Sequence, residues 1–288
     1  MNLQVLGQDR HGSIECPGQC LPYRVYRKYF CMFRWLKRRS RERLRRSEPP
    51  AEWQTVVETN LWQYAKLSKD DQEKLRGNSL ILASEKNWEG CGGLVLIEEM
   101  KLTIAAQIAL QTLGFEEQYF DKVLSILVYP SAYRAREQSS LGGGVVLERD
   151  STRMGEAWYR GPVILSWPDV VKGGRSPNHS RQVVIHEFAH QLDLLNSRVA
   201  DGVPPMASAA QAKQWIATCE ESFNRLVHDC QNGHRPLIDC YGATNRQEFF
   251  AVASEAFFQA PHLLASHDPN LFEVLRTYYG QDPLRWAR

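Results

Sequence analysis

His186, Glu187 and His190 are the residues of this chain whose types and spacing are best suited to joint chemistry. In the run His186-Glu187-Phe188-Ala189-His190 two imidazoles lie four residues apart. On a helix that spacing puts both on one face, where a single metal ion can take both without bending the backbone. Glu187 falls about a quarter-turn round, in reach of a metal-bound water. This is the signature of zinc-dependent hydrolysis: the metal makes a water nucleophilic near neutral pH, and the carboxylate takes its proton. The plain alternative is a surface helix that carries two histidines by chance. Context opposes it, because Val184, Ile185, Phe188, Ala189, Leu192 and Leu195 follow a helical apolar repeat and predict a helix packed on a core. Asn178 or Ser180 would cap its start.

Catalytic zinc commonly takes three protein ligands and leaves a fourth position for water. After His190 the next histidine is His228, which turns the search for a third ligand to distant carboxylates. Glu248 and Glu255 stand on an apolar segment predicted to be helical, and at seven residues apart they share a face. One can ligate while the other stays nearby. A carboxylate buried there needs a partner, which a metal or a ligating histidine would supply; a solvent-facing Glu is the plain reading of either. Thr244 and Gln247 read as a capping box, placing Glu248 in the first turn. Asp193, three residues past His190, either orients a ligand imidazole or sits at the wet end of its helix.

The elements that must position these groups are helices predicted over 55–76, 98–115, 208–229, 244–259 and 268–280. Between them come β-prone runs at 123–129, 145–147 and 163–167, with three glycines at 142–144 as a turn or bulge. The expected fold class is α+β, mostly helical, with a small mixed sheet backing the histidine helix. The strand at 163–167 could offer an unpaired edge to an extended peptide, with Arg160 and Trp167 beside the cleft.

A length of 288 residues with 43% apolar content suits one large domain, expected at 51–288, with an extension over 1–50 that stops at Pro49-Pro50. The seven cysteines are scattered, only Cys16 and Cys20 lie close together, and free thiols in a reducing cytosol are expected. No run has the length of a bilayer span, and the first twenty residues are too polar and Gly-rich for a signal peptide, so a cytoplasmic location is expected. The net charge of +2 hides an asymmetry: residues 24–46 hold eleven Lys or Arg against Glu42, leaving 24 basic and 32 acidic residues elsewhere. No direct nucleic-acid contact is expected from that mildly acidic body. The basic stretch reads as a solvated, partly helical arm. Tyr26, Tyr29, Phe30, Phe33 and Trp35 among its arginines would also suit nucleic acid or an acidic membrane.

The block Tyr241-Gly242-Ala243-Thr244-Asn245-Arg246-Gln247-Glu248-Phe249-Phe250-Ala251 adds a family likeness. With HEFAHQLD at 186–193, GPVILSW at 161–167 and residues 126–130, in that family's order, it resembles the Mlc titration factor A family of zinc peptidases. The likeness runs from about Trp53 to the C-terminus and leaves out the basic arm. It implies a zincin-like metallopeptidase core related to the catalytic domain of anthrax lethal factor, with one Zn2+ per chain held by His186, His190 and Glu248. It also implies that Glu187 is the general base and that Tyr241 faces the metal, where its hydroxyl could stabilise the developing oxyanion. On sequence alone, Tyr241 could instead be a buried aromatic at a loop-helix junction. The implied activity is that of an aminopeptidase acting on peptide substrates. The implied partner is the Mlc repressor of glucose-uptake genes, which the protein would bind and sequester; the alternative is mainly a protein-binding anti-repressor whose peptidase activity is secondary.

Overall fold

The computed structural model describes residues 23–131, 161–176 and 181–286. It divides between Arg43 and Leu44, and the two parts are taken separately. The basic stretch forms one continuous helix, α1 (Tyr23–Arg46), where the sequence predicts only partial helicity. Its last turn belongs to the larger part, in which Leu44 packs on the core and the Arg45 guanidinium donates to the Tyr119 hydroxyl.

The larger part continues with α2 (Trp53–Asn60), α3 (Lys69–Glu85) and α4 (Glu98–Gln111). The single helix expected over 55–76 is therefore broken. Ser68 explains the break, because its hydroxyl accepts the Asp71 amide at 3.1 Å and starts a new helix there. The chain turn before it leaves Asn60 buried, with its amide donating to Thr103 at 2.9 Å and its Oδ1 accepting from Arg175 at 2.7 Å.

β1 (Asn87–Gly90), β2 (Ser125–Tyr129) and β3 (Val163–Ser166) form one sheet in that order. Trp88 pairs with Ile126, and Ile126 with Val163. The mixed sheet expected from the sequence gives way to pairing that is parallel throughout the described strands. α4 accounts for this between β1 and β2, since it returns the chain as a crossover so that both strands run the same way. The strand expected at 145–147, the glycines before it and Arg160 lie outside the described residues. Ile126 and Val128 point into the core. Among the described residues β3 is an edge strand, paired with β2 alone.

The remaining helices are α5 (Trp167–Arg175), α6 (Val183–Asp193), α7 (Ala209–Gln231), α8 (Arg246–Gln259), α9 (Pro261–His267) and α10 (Pro269–Tyr279). α4 and α8 are buried on nearly every face, so their polar groups must find partners inside. The Gln111 amide of α4 donates to the Ile185 carbonyl of α6 at 3.1 Å and to the Tyr279 hydroxyl at 3.4 Å. That hydroxyl donates to Ser254 of α8 at 2.7 Å. This buried chain of bonds ties four helices together behind the histidines. Close packing continues at the end of α10, where Gly280 takes the left-handed φ of 60° and a Cβ on Gly114 would lie 1.8 Å from the Tyr279 carbonyl oxygen.

The free thiols expected from the sequence hold for Cys91 and Cys219 but fail for Cys230 and Cys240, which form a disulfide with Cα atoms 5.8 Å apart. The end of α7 and the turn before α8 bring them together. The cytoplasmic expectation drew on free thiols, and this pair withdraws that support. No helix among the described residues is long and apolar enough to cross a membrane.

Candidate metal centre

α6 buries Val184, Ile185, Phe188, Ala189 and Leu192, as the apolar repeat predicts, and leaves His186, Glu187 and His190 half-buried on its other side. Residue 182 is its cap, not Asn178 or Ser180, which lie outside the described residues. The Gln182 side chain makes no capping bond. Its backbone amide donates instead to Glu255 Oε2, so a carboxylate from α8 closes the positive end of the histidine helix.

The cap of α8 is Asn245, one residue later than the predicted capping box. Thr244 has helical backbone angles that finish the preceding 3-10 turn (Cys240–Ala243), whereas Asn245 is extended and accepts the Glu248 amide at 2.9 Å. Glu248 still falls in the first turn. Its Oε2 lies 3.2 Å from His186 Nε2 and 3.4 Å from His190 Nε2. Ligand atoms of these three side chains all sit within 4.8 Å of one another.

This donor set fits a tetrahedral metal. Two ligands each about 2.0–2.1 Å from such an ion lie about 3.3 Å apart, which is the spacing between the carboxylate oxygen and each imidazole nitrogen. The oxygen is buried and makes no hydrogen bond; its approach to the two rings lacks hydrogen-bond direction. A buried carboxylate oxygen without a bond is costly unless a cation satisfies it.

Glu255 has a different task. Its Oε1 lies 2.8 Å from His186 Nδ1, so with Oε2 on the Gln182 amide both oxygens are engaged. The bond puts the ring proton on Nδ1 and turns the Nε2 lone pair toward Glu248. Of the two candidate carboxylates, Glu248 therefore faces the shared donor space and Glu255 orients a ring. Glu255→Gln should keep the metal stoichiometry while weakening affinity about 10- to 100-fold, read by competition with a chromophoric chelator. Unchanged affinity would remove Glu255 from this role.

The electrostatics favour a cation. Burial opposes charge on His186, yet Glu248 and Glu255 outweigh it and push its pKa up to about 10. Burial would raise Glu248, but the imidazoles of His186 and His190 hold it well below the usual carboxylate range. A proton or a metal ion can answer this field.

Tyr241 is 42% exposed, with its ring centroid 6.0 Å from that of His186, so the buried-aromatic alternative fails. Asp239 caps its turn by accepting the Tyr241 amide at 2.9 Å. The same side chain accepts from Arg181 at 2.9 Å, tying the turn to the start of α6. That exposed ion pair contributes about 1 kcal/mol or less, so it guides placement more than it stabilises. The Cys230–Cys240 disulfide anchors the turn to α7.

Asp193 fits neither expectation. It is fully buried, not at a wet end, and its Oδ2 accepts the Gly202 amide at 2.8 Å rather than an imidazole proton. Burial pushes its pKa up to about 6. Trp167 opens α5 directly after β3 and packs partly on the core. Gln182 and Arg181 lie about one turn before His186, but nothing in the sequence singles them out, and no local spacing links Asp239 to the histidines.

A His-Glu-x-x-His helix facing a buried carboxylate of a second helix has the form of a metallopeptidase centre. The chain belongs to the glucose-regulated metallo-peptidase M90 family, whose model matches residues 33–280. It is 35% identical over 251 residues to a Synechocystis protein described as uncharacterized, covering 87% of this chain and 90% of that relative. Mlc titration factor A of Yersinia pestis is 29% identical over 265 residues, 88% of this chain and 94% of the relative. The protein of that name from Yersinia pseudotuberculosis matches to the same extent.

Proposed function

We propose that this chain is a zinc-dependent aminopeptidase in which His186, His190 and Glu248 hold one Zn2+, Glu187 is the general base and Tyr241 is an oxyanion donor. The observation that carries the reading is Glu248 Oε2, buried without a hydrogen bond and 3.2 and 3.4 Å from two imidazole nitrogens. When bound, zinc supplies Lewis acidity, lowering the pKa of water to about 7 and polarising a carbonyl. Glu187, beside the first ligand, takes the proton of the attacking water and returns it to the leaving amine. The Tyr241 hydroxyl donates to the carbonyl oxygen as charge gathers there. The edge of β3 holds substrate backbone in extended form. The aminopeptidase preference rests on the likeness to the Mlc titration factor A family.

The test combines metal analysis with hydrolysis of aminoacyl chromogenic amides and unstructured peptides. About one zinc per chain is expected, with hydrolysis abolished by a chelator and restored by zinc. Metal-free protein that hydrolyses these substrates at the original rate would sink the proposal.

The name of the Yersinia relatives, Mlc titration factor A, favours a second reading, capture of the Mlc repressor, with hydrolysis secondary. The two readings separate in a variant that keeps the metal and loses the base.

A further inference from the structure

The Cys230–Cys240 disulfide stands where a covalent change would reach the reactive site. Cys230 is the penultimate residue of α7, and Cys240 is the first of the 3-10 turn that carries Tyr241. The Asn245 cap of α8 follows that turn, and Glu248 follows the cap. Glu248 is held by the buried helix on which it stands, whether or not the sulfurs are joined. Tyr241 depends on more local ties. Its amide bonds to Asp239, and Asp239 reaches the start of α6 through the exposed pair with Arg181. Gly242 rests between α7 and α8, where a Cβ would lie 3.3 Å from Leu226 and 3.4 Å from Val252. Ahead of the turn, residues 231–235 are all exposed and Ile238 is the one buried residue of 231–239. Little burial therefore fixes the approach to Tyr241 once the bond opens.

The bond is also within reach of a reductant. Cys240 is exposed and Cys230 half-buried, which opens the pair to solution at its Cys240 end. Exposed disulfides are the labile and regulatory ones, whereas structural ones resist reduction. We propose that Cys230–Cys240 is a thiol-disulfide switch that sets the placement of Tyr241, with the bonded form the active one. The switch rests on the reading of Tyr241 as oxyanion donor. A soluble dithiol supplies the two electrons: one thiolate attacks Cys240 Sγ, the S–S bond breaks, and Cys230 leaves. The second thiolate then displaces Cys240, so the dithiol ends as a disulfide, and each protein sulfur takes up the proton its attacker gave up.

Hydrolysis and hydrogen exchange, each measured before and after dithiothreitol in zinc-buffered solution, test this on the full-length protein. Reduction should lower wild-type kcat at least about tenfold with little change in KM, and reoxidation should restore it. The double variant Cys230→Ser, Cys240→Ser should keep the lowered value in both conditions, which separates the switch from chelation and from the other cysteines. The bonded amides of Tyr241, Gly242 and Thr244 should exchange at least about tenfold faster in reduced wild type, with α6 unchanged. Tyr241→Phe should be slow when oxidised and lose nothing more on reduction. Equal kcat in the two wild-type states, or equal exchange, overturns the switch, and so does a Tyr241→Phe variant that responds to dithiothreitol as the wild type does. Failure of the underlying reading looks different: oxidised Tyr241→Phe would then hydrolyse at the wild-type rate, removing the oxyanion donor and the route of the switch together.

Discussion

Glu187→Gln is expected to lower peptide hydrolysis by about 10²- to 10⁴-fold while the metal content stays at one ion per chain. Glutamine keeps the size and shape of the side chain but cannot accept the proton of an attacking water. Glu187 is half-buried and lies outside the cluster formed by His186, His190 and Glu248, so neither the fold nor the donor set should change. The loss should fall on kcat with little change in KM, because proton transfer is an interaction made only in the transition state. Hydrolysis at the wild-type rate would show that Glu187 is not the base. The same variant separates the two functional readings. If it still captures the Mlc repressor, protein binding proceeds without the chemistry; if capture is lost with hydrolysis, the two share the reactive site.

How much of this site is legible in the sequence depends on whether the information is local. The buried face of α6 is local: the spacing of Val184, Ile185, Phe188 and Leu192 predicts both the helix and its orientation, and with it the pairing of His186 and His190. Glu248 is less local, but its place in the first turn of a predicted helix, and the lack of a nearby third histidine, narrow the choice to two carboxylates. The family likeness implies Glu248, and the packing of α6 on α8 places Glu248, not Glu255, beside both Nε2 atoms. Glu255 reaches the Gln182 amide across 73 residues of sequence, and no periodicity records such a contact.

Other failures have equally physical causes. The helix expected over 55–76 is interrupted where the Ser68 hydroxyl accepts the Asp71 amide and starts a new helix, with residues 68–74 wholly polar. The direction of a strand depends on the connection before it, so β-prone runs alone cannot separate a parallel from a mixed sheet. Cys230 and Cys240 are ten residues apart, a spacing that does not announce a bond until α7 ends and the chain turns back.

Glu248→Gln should remove the metal and should differ from Glu255→Gln in doing so. An uncharged amide cannot replace the carboxylate oxygen that faces His186 and His190, so affinity should fall by more than about 100-fold and dialysed protein should carry little metal. Hydrolysis should be lost with it. The Asn245 cap bonds the backbone amide of residue 248, so α8 should keep its start.

The metal-free proteins offer a second readout. In the wild type, Glu248 and Glu255 raise His186 from 6.5 to about 10. A raised histidine contributes stability that is fully present below its unfolded value and is lost as pH rises through its folded value. Chelated wild type should therefore lose stability between about pH 6.5 and 10. Glu248→Gln removes one of the two raising carboxylates, so that loss should finish at lower pH in urea unfolding. Since metal binding needs the neutral ring, wild-type metal affinity should rise with pH over the same interval. Full metal content and hydrolysis in Glu248→Gln would exclude Glu248 as a ligand and dismantle the two-helix centre.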